Sequence, residues 1–399
     1  MNKINMIWLC VLLLACTERE AAQQSGEEEV GNGYSVWNSG VSARVPYLLS
    51  YPVDSVQFPR SMEENGEVRG VPSKDWTSGF FPGSLLYLYQ LTGDTSFLTR
   101  AESWIPFMEK EQWNGRTHDM GFKVYCSIGK AYEITQNPHY KDVILTSAQT
   151  LSTRFSPTVG CIQSWDFGMD KWQFPVIIDN MMNLELLFEA TRLSGDSSFY
   201  KIADSHARKT LVNHYRADNS SYHVIDYNVT TGEVKQRLTH QGYDAESVWS
   251  RGQGWGLYGF TMVYRYTRDE LFLEQAKKIA AFVMNHPQMP DDHIPYWDMN
   301  DPAIPNAPRD ASAAAVDASA CYELYTYTGD IAYLKFADAI MESLGSATYV
   351  LSEDFKVPFI LTHSTGNWPK DDEIDLPIGY ADYYFLEAMH RKNSLGISQ

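Results

Sequence analysis

The chain has 399 residues, of which 44% are hydrophobic and 14% aromatic, so it is long enough to bury one large core or two ordinary ones. Its 32 Lys and Arg against 50 Asp and Glu give a net charge of −18. This acidic balance argues against nucleic acid as a partner and against a long polyanion held by its charge. An acidic ligand would need a pocket with hydrogen-bond donors of its own.

The N-terminal segment has the pattern that is typical of an export signal. Residues 1–16 hold one lysine and then an apolar run that is too short to span a bilayer. The run ends in Leu-Leu-Ala-Cys, which resembles a bacterial lipobox and implies that Cys16 is lipidated and becomes the mature N-terminus. An ordinary secretory signal cleaved nearby is the alternative.

The predicted organisation is a lipoprotein signal peptide over 1–15, an acidic flexible tether over 16–35 and one domain over 36–399. Such a chain would be an exported bacterial lipoprotein, held in the periplasm or at the outer membrane and touching the membrane only through its lipid anchor.

The cysteines predict neither a disulfide framework nor a zinc site. Cys10 lies in the signal, and Cys126, Cys161 and Cys321 are an odd set without C-x-x-C spacing. We expect these three to be buried thiols.

A weak repeat runs through the rest of the chain. Each copy has a short polar turn with Gly, Asp or Asn, then an aromatic residue or Leu, then the apolar spacing of an amphipathic helix. The copies lie at 91–104, 134–151, 193–211, 266–283 and 327–344. Before most of the turns lies a more apolar helix, and these predicted helices cover 80–90, 121–133, 177–192, 254–267 and 311–327, with a further one at 379–391.

Self-similar helical hairpins of irregular period fit either a toroid or an α-solenoid. The segments at 287–312 and 355–380 are long and rich in Trp, Pro and Gly, which suits a closed ring with its loops gathered at one mouth. We therefore predict an all-α (α/α)6 toroid in a single domain. Small strand pairs, such as a hairpin around Thr231 and Gly232, are expected in the loops.

Four stretches place polar and aromatic residues at the starts of inner helices: 74–83, 117–122, 177–183 and 239–255. In an α/α toroid these loops converge on one mouth, so Asp119 and Asp179 can share a cleft. Two acids in one cleft split their pKa values and leave one able to hold a proton near neutral pH. The apolar surroundings of Asp179 agree with that role.

Simpler explanations exist for both acids. Each Asp could be a helix N-cap, Asn183 could satisfy Asp179 one turn on, and residues 117–122 could form a plain turn. No metal-ligand spacing, nucleophile elbow or phosphate loop is present.

Five motifs, DWTSGFFPG, HDMGF, IIDNMMNLELLF, HQGYDAESVWSRGQGWGLYGF and HSTGNWPKDDEIDLPIGYADYYFLEA, together resemble glycoside hydrolase family 88, the unsaturated glucuronyl hydrolases. The resemblance covers residues 40–392 and implies an (α/α)6 catalytic domain. It implies an enzyme that removes a terminal 4,5-unsaturated uronic acid from oligosaccharides left by polysaccharide lyases. In that reaction the C4=C5 vinyl ether is hydrated to give a 4-deoxy-5-keto uronic acid, and no metal or organic cofactor is needed.

The resemblance also assigns roles to single residues. Asp179 matches the general acid/base, and Asp119 matches its partner carboxylate, which would hold sugar hydroxyls and raise the pKa of Asp179. Arg251 would bind the substrate carboxylate, unless it forms a structural ion pair with Asp244 or Glu246. The further substrate-contacting positions are Trp76, Trp165, His223, His240, Gln241 and Trp255.

Specificity beyond the first sugar stays open. Ser364, Thr365 and Lys370 would lie near the next subsite and could contact a sulfate or a hydroxyl, so chondroitin, hyaluronan, heparin, ulvan-type and gellan-type fragments are all candidates. Three other functions compete with this prediction: an unsaturated rhamnogalacturonyl hydrolase, a catalytically silent glycan-binding lipoprotein and an inverting glycosidase that acts on saturated sugars.

Overall fold

The computed structural model describes residues 37–396. The predicted signal peptide, Cys16 and the whole of the predicted tether lie outside the described residues. Within them, no helix has both the length and the apolar character needed to cross a membrane. The α-helices are α1 Ser39–Ser50, α2 Phe80–Thr92, α3 Thr95–Met108, α4 Lys130–Thr135, α5 Pro138–Ser152, α6 Asn180–Ser194, α7 Ser197–Asn213, α8 Ser250–Thr267, α9 Glu270–Met284, α10 Ala311–Thr328, α11 Ile331–Leu344 and α12 Gly379–Ser394.

Six inner helical elements form a closed ring. The π-helical segment Gly121–Gly129 runs directly into α4 and forms one of them. In ring order the elements are α2, this π-helix with α4, α6, α8, α10 and α12, and α12 packs back onto α2. Helices α1, α3, α5, α7, α9 and α11 lie outside. The predicted (α/α)6 toroid is confirmed.

The turns between inner and outer helices explain the repeat seen in the sequence. Each of five inner helices ends at a left-handed residue, which is glycine in Gly93, Gly195 and Gly329. An Asp or Asn follows and accepts a hydrogen bond from the backbone N–H two residues on, which caps the outer helix. These caps are Asp94, Asn137, Asp196, Asp269 and Asp330.

Burial separates the two rings. In α10 every residue from 311 to 324 is buried, whereas outer helix α9 buries one face. A helix that is apolar all round needs neighbours on all sides, and the inner ring supplies them. The expected buried thiols are free and buried: Cys126 and Cys321 lie in this interior, and Cys161 lies in a separate apolar cluster formed by strands of the loops.

Charged side chains fill the end of the ring where the inner helices finish. Arg265 on α8 donates two hydrogen bonds to Glu323 on α10, each of 2.6 Å. Arg391 on α12 also binds Glu323, and Glu387 accepts from the hydroxyl of Tyr258 at 3.0 Å. Because these charges are mutually paired, this end of the bore is held together by ion pairs.

The strands lie in the loops. They are β1 Phe58–Met62, β2 Val68–Val71, β3 Phe155–Ser156, β4 Cys161–Ile162, β5 Pro175–Ile177, β6 Val224–Tyr227 and β7 Val234–Leu238. The hairpin predicted around Thr231 and Gly232 is β6–β7. Strand β5 adds an antiparallel partner to β6 that the sequence had not indicated.

Candidate active site

A cleft of about 600 Å³ opens where the inner helices begin. Its walls come from the segments before α2, the π-helix, α6, α8 and α12. Six of the nine residues with predicted roles line it: Trp76, Asp119, Trp165, Asp179, His240 and Gln241. The ring therefore gathers residues that lie up to 165 positions apart (241 minus 76).

Asp179 follows strand β5 and stands at the start of α6. Its backbone is helical, and its side chain makes no capping hydrogen bond. The side chain is 11% exposed, and its Oδ2 atom is buried without a hydrogen-bond partner. The N-cap explanation for this residue is therefore wrong.

Burial raises the pKa of Asp179 to about 7, because water no longer stabilises the charged form. The charge of Asp119 raises it further, whereas Arg251 and the indole of Trp255 act in the opposite direction. Asn183 does not satisfy this carboxyl, since its Nδ2 atom donates no hydrogen bond, while its Oδ1 atom accepts the Phe122 backbone N–H at 3.0 Å. Near neutral pH, Asp179 is thus poised to give up or take a proton.

Asp119 lies in the loop that enters the π-helix. Its Oδ2 accepts the hydroxyl of Thr117 at 2.8 Å, and its Oδ1 lies 3.2 Å from Nε2 of His118. The other ring nitrogen of His118 binds the carbonyl oxygen of Ser164 and must be its donor. Nε2 of His118 makes no hydrogen bond, and burial lowers the pKa of this histidine, so its imidazole is neutral near neutral pH.

Aromatic rings form two walls of the cleft. Trp76 packs against Tyr380 and Phe122, with ring centroids 5.0 and 5.4 Å apart. Trp165 stacks on Phe167 at 4.8 Å and lies 5.2 Å from the ring of His240. Flat rings with polar groups between them suit a sugar ring.

Two polar groups of the loop before α8 face the cleft. Burial lowers the pKa of His240 to about 4, and the positive charges of Lys370 and Lys171 add to this, so its imidazole is neutral at neutral pH. Gln241 donates its amide to the carbonyl oxygen of Gly366 at 3.2 Å. Its amide oxygen is left to accept from a ligand.

The position of Arg251 does not fit the predicted contact with a substrate carboxylate. The side chain is 1% exposed and does not line the cleft. Its guanidinium forms a 2.5 Å ion pair with Asp310 and donates to the carbonyl oxygens of Thr365 and Gly366, each at 2.6 Å. The predicted ion pair is present, but its partner is Asp310 rather than Asp244 or Glu246.

Two further residues that were predicted to contact the substrate lie behind the walls of the cleft. Trp255 is fully buried on α8 and packs on Phe122, and His223 is 3% exposed at the edge of β6. Neither lines the cleft, so each acts on it through the residues in front. Ser364 and Thr365 are also buried behind it, whereas Lys370 is exposed at its rim.

Three cations at the cleft, Arg60, Arg69 and Arg116, were not indicated by the sequence, whereas Lys370 was. Arg60 is paired with Glu373 at 2.7 Å, and Arg69 with Asp372 at 2.5 Å. Arg116 and Lys370 also line the cleft, and neither has an ion-pair partner among residues 37–396. These two uncompensated charges stand out in a chain with a net charge of −18.

The part of the chain that the structure describes holds no group of three or more His, Cys, Asp or Glu side chains arranged to hold a metal ion.

The model of Glycosyl Hydrolase Family 88 matches residues 55–301. The chain belongs to this family. A relative from Formosa agariphila, named an unsaturated glucuronyl hydrolase, is 52% identical over 392 residues, which are 98% of this chain and 97% of the relative. A protein from Streptococcus pneumoniae, named an unsaturated chondroitin disaccharide hydrolase, is 31% identical over 79% of this chain and 81% of its own length.

Solved structures agree with the family 88 assignment. The crystal structure of an unsaturated glucuronyl hydrolase specific for heparin superposes with a TM-score of 0.87 at 45% identity, covering 90% of this chain and 97% of that one. The unsaturated glucuronyl hydrolase of Bacillus sp. GL1, described as responsible for glycosaminoglycan degradation, gives a TM-score of 0.81 at 28% identity and covers 88% and 94% of the two chains.

Proposed function

We propose that this cleft removes the terminal 4,5-unsaturated uronic acid from lyase-generated oligosaccharides, with Asp179 as the group that moves the proton. One observation carries the assignment of Asp179: a buried carboxyl with a pKa of about 7 that caps no helix and faces the cleft. An acid that is half protonated near neutral pH can both give a proton and take one back.

The first step is protonation of the alkene. Asp179 gives its proton to C4, and the electron pair of the C4=C5 bond forms the new C–H bond. Positive charge develops at C5 and is shared with the ring oxygen. The carboxylate left on Asp179 stabilises this charge.

Water then adds to C5, and its proton returns to Asp179. The hemiketal opens to a C5 ketone, and the hemiacetal formed at C1 releases the second sugar. Asp179 ends the cycle protonated, so the residue is regenerated without an outside reactant. Asp119 is held by Thr117 and accepts sugar hydroxyls beside it.

The test follows the ultraviolet absorbance of the conjugated alkene. Purified enzyme is expected to abolish this absorbance for unsaturated uronyl disaccharides, with chelator present. In D₂O, deuterium should appear at C4 of the released keto-sugar. Turnover of saturated disaccharides only would instead indicate an inverting glycosidase, and turnover of pectin-derived substrates only would indicate a rhamnogalacturonyl hydrolase.

For the second sugar, we propose an anionic one, such as a sulfated glycosaminoglycan unit. Arg116 and Lys370 support this, because each has a positive charge at the cleft that no carboxylate of the described chain neutralises. The names of the relatives, which include heparin and chondroitin, point the same way. Ulvan-type fragments also have sulfate and belong in the same substrate panel.

For location, we propose an exported lipoprotein anchored through Cys16. The apolar run before Leu-Leu-Ala-Cys and the acidic segment after it support this proposal. Lyase products arise outside the cytoplasm, where such an anchor would hold the domain.

A further inference from the structure

We propose that His223 is a positioning residue with its proton on Nε2, which it donates to Oδ2 of Asp179 as that carboxyl loses its own proton from Oδ1. The proposal rests on the proposed function of Asp179. A buried histidine outside the cleft then has a role in the proton transfer, and Oδ1 is the carboxyl oxygen that gives up the proton.

The tautomer follows from the hydrogen bonds of Nδ1. This atom accepts two backbone N–H groups, those of His240 and Gln241, each at 3.0 Å. An N–H only donates, so Nδ1 presents a lone pair and has no proton. The single proton of the neutral ring is then on Nε2.

The Nε2 atom of His223 faces Oδ2 of Asp179 at 3.7 Å. Both atoms are buried, and neither makes a hydrogen bond to any group of the described residues. A bridging water needs roughly 4.5 Å between the atoms that it joins, so none fits between them. A shift of less than 1 Å closes this gap to a direct hydrogen bond.

The backbone fixes the two side chains relative to each other. The carbonyl oxygen of His223 accepts the N–H of Ile178, next to Asp179, at 3.0 Å. This bond extends the pairing of β5 with β6. The ring of His223 also packs on Trp249 with centroids 4.6 Å apart, which opposes a ring flip.

The charges around the pair keep the ring neutral. Burial lowers the pKa of His223 far below its usual value, and His240, Arg251, His214 and His118 add to this. The groups that act on Asp179 are Arg251, Asp119 and Trp255. His223 therefore acts on Asp179 through a hydrogen bond rather than through a charge. This hydrogen bond becomes stronger when Asp179 becomes a carboxylate.

The same geometry distinguishes the two carboxyl oxygens. Oδ2 is inaccessible, although the Asp179 side chain retains 11% exposure and lines the cleft. Oδ1 is therefore the oxygen that reaches the substrate and gives up the proton.

Two substitutions separate the two ring nitrogens. His223→Asn places an amide oxygen near the position of Nδ1, so it can still accept from the loop but cannot reach Asp179. His223→Gln places an amide N–H near the position of Nε2, so it can donate to Asp179 but loses the acceptor for the loop. Each variant keeps one of the two contacts.

The pH profile of kcat and the value of KM are measured for both. In His223→Asn the carboxylate loses a donor, so the pKa of Asp179 rises, the alkaline limb of the kcat profile moves to higher pH and kcat falls about tenfold. In His223→Gln the alkaline limb stays in place, and KM rises as His240 and Gln241 lose their anchor. A wild-type pH profile in His223→Asn, or an equal shift in both variants, would overturn the proposal.

Neutron diffraction from wild-type crystals gives a test that needs no variant. Deuterium on Nε2 of His223 is expected, and deuterium on Nδ1 would overturn the inference even in an active enzyme. An enzyme that leaves the alkene untouched would instead refute the proposed function, whatever the tautomer.

Discussion

The Nε2 atom of His118 lies 3.2 Å from Oδ1 of Asp119, and its other ring nitrogen is bound to the carbonyl oxygen of Ser164. Burial lowers the pKa of His118, so its imidazole is neutral near neutral pH and adds no positive charge beside Asp119. The negative charge of Asp119 raises the pKa of Asp179. Asp119 therefore contributes to the pH dependence of Asp179.

Asp119→Asn should shift the pH profile of activity. The substitution removes a negative charge, so the pKa of Asp179 falls and the alkaline limb of activity moves to lower pH. His118→Phe keeps that charge and serves as the control, so its alkaline limb should stay near that of the wild type. Profiles of kcat between pH 4 and 9 (about the range in which carboxyl and imidazole groups titrate) measure both variants. An unshifted limb in Asp119→Asn would show that Asp119 does not act on the pKa of Asp179.

Asp179→Asn should lower kcat by roughly 10²–10⁴, because the amide cannot shuttle a proton. The fold should be retained, since the carboxyl caps no helix. Asp196→Asn is the matched control: Asp196 caps α7 by accepting from Ser198, and Asn caps equally well. The control should keep wild-type turnover and melting temperature. An active Asp179→Asn enzyme would transfer the acid role to another group.

Arg251→Met should lower the free energy of unfolding by about 3–5 kcal/mol, because it leaves Asp310 buried without its partner. The control is Arg192→Met, since Arg192 forms an ion pair with Glu189 but is 59% exposed. Its loss should cost less than about 1 kcal/mol. Urea denaturation measures both values. A stable Arg251→Met protein with only a raised KM would restore the predicted role in binding the substrate carboxylate.

Arg116→Gln and Lys370→Gln should each reduce kcat/KM for sulfated unsaturated disaccharides by roughly five- to tenfold, because an exposed charge pair is worth about 1 kcal/mol. Turnover of the unsulfated analogue should change little. Lys277→Gln on outer helix α9 removes the same charge far from the cleft and serves as the control. Equal losses on both substrates would mean that the two cations do not contact the sulfate.

Mass spectrometry of the native protein tests the anchor. The mature N-terminus should be Cys16 with a diacylglycerol group, and Cys16→Ser should release the domain from the membrane fraction. An unmodified N-terminus further along the chain would indicate simple secretion.

The sequence by itself determined the ring of helical hairpins. The Gly-Asp turns set the left-handed stop and the Asp cap at 93–94, 195–196 and 329–330, both of which are local effects. The apolar character of the inner helices determined which helices lie inside. Asp179 could also be identified from the sequence, because a carboxylate within apolar sequence is costly wherever that segment folds.

Only the tertiary structure decided which polar side chains reach the cleft. Arg251, Trp255 and His223 lie in or beside the same motifs as residues that line it, yet each is turned toward the interior. Their orientation depends on partners far along the chain: Asp310 for Arg251, and Asp179 and the loop at 240–241 for His223. Likewise, nothing near Arg116 or Lys370 in sequence shows that their charges lack a partner. Hydrogen bonds and ion pairs are set by distances between atoms, and those distances exist only after the ring has closed.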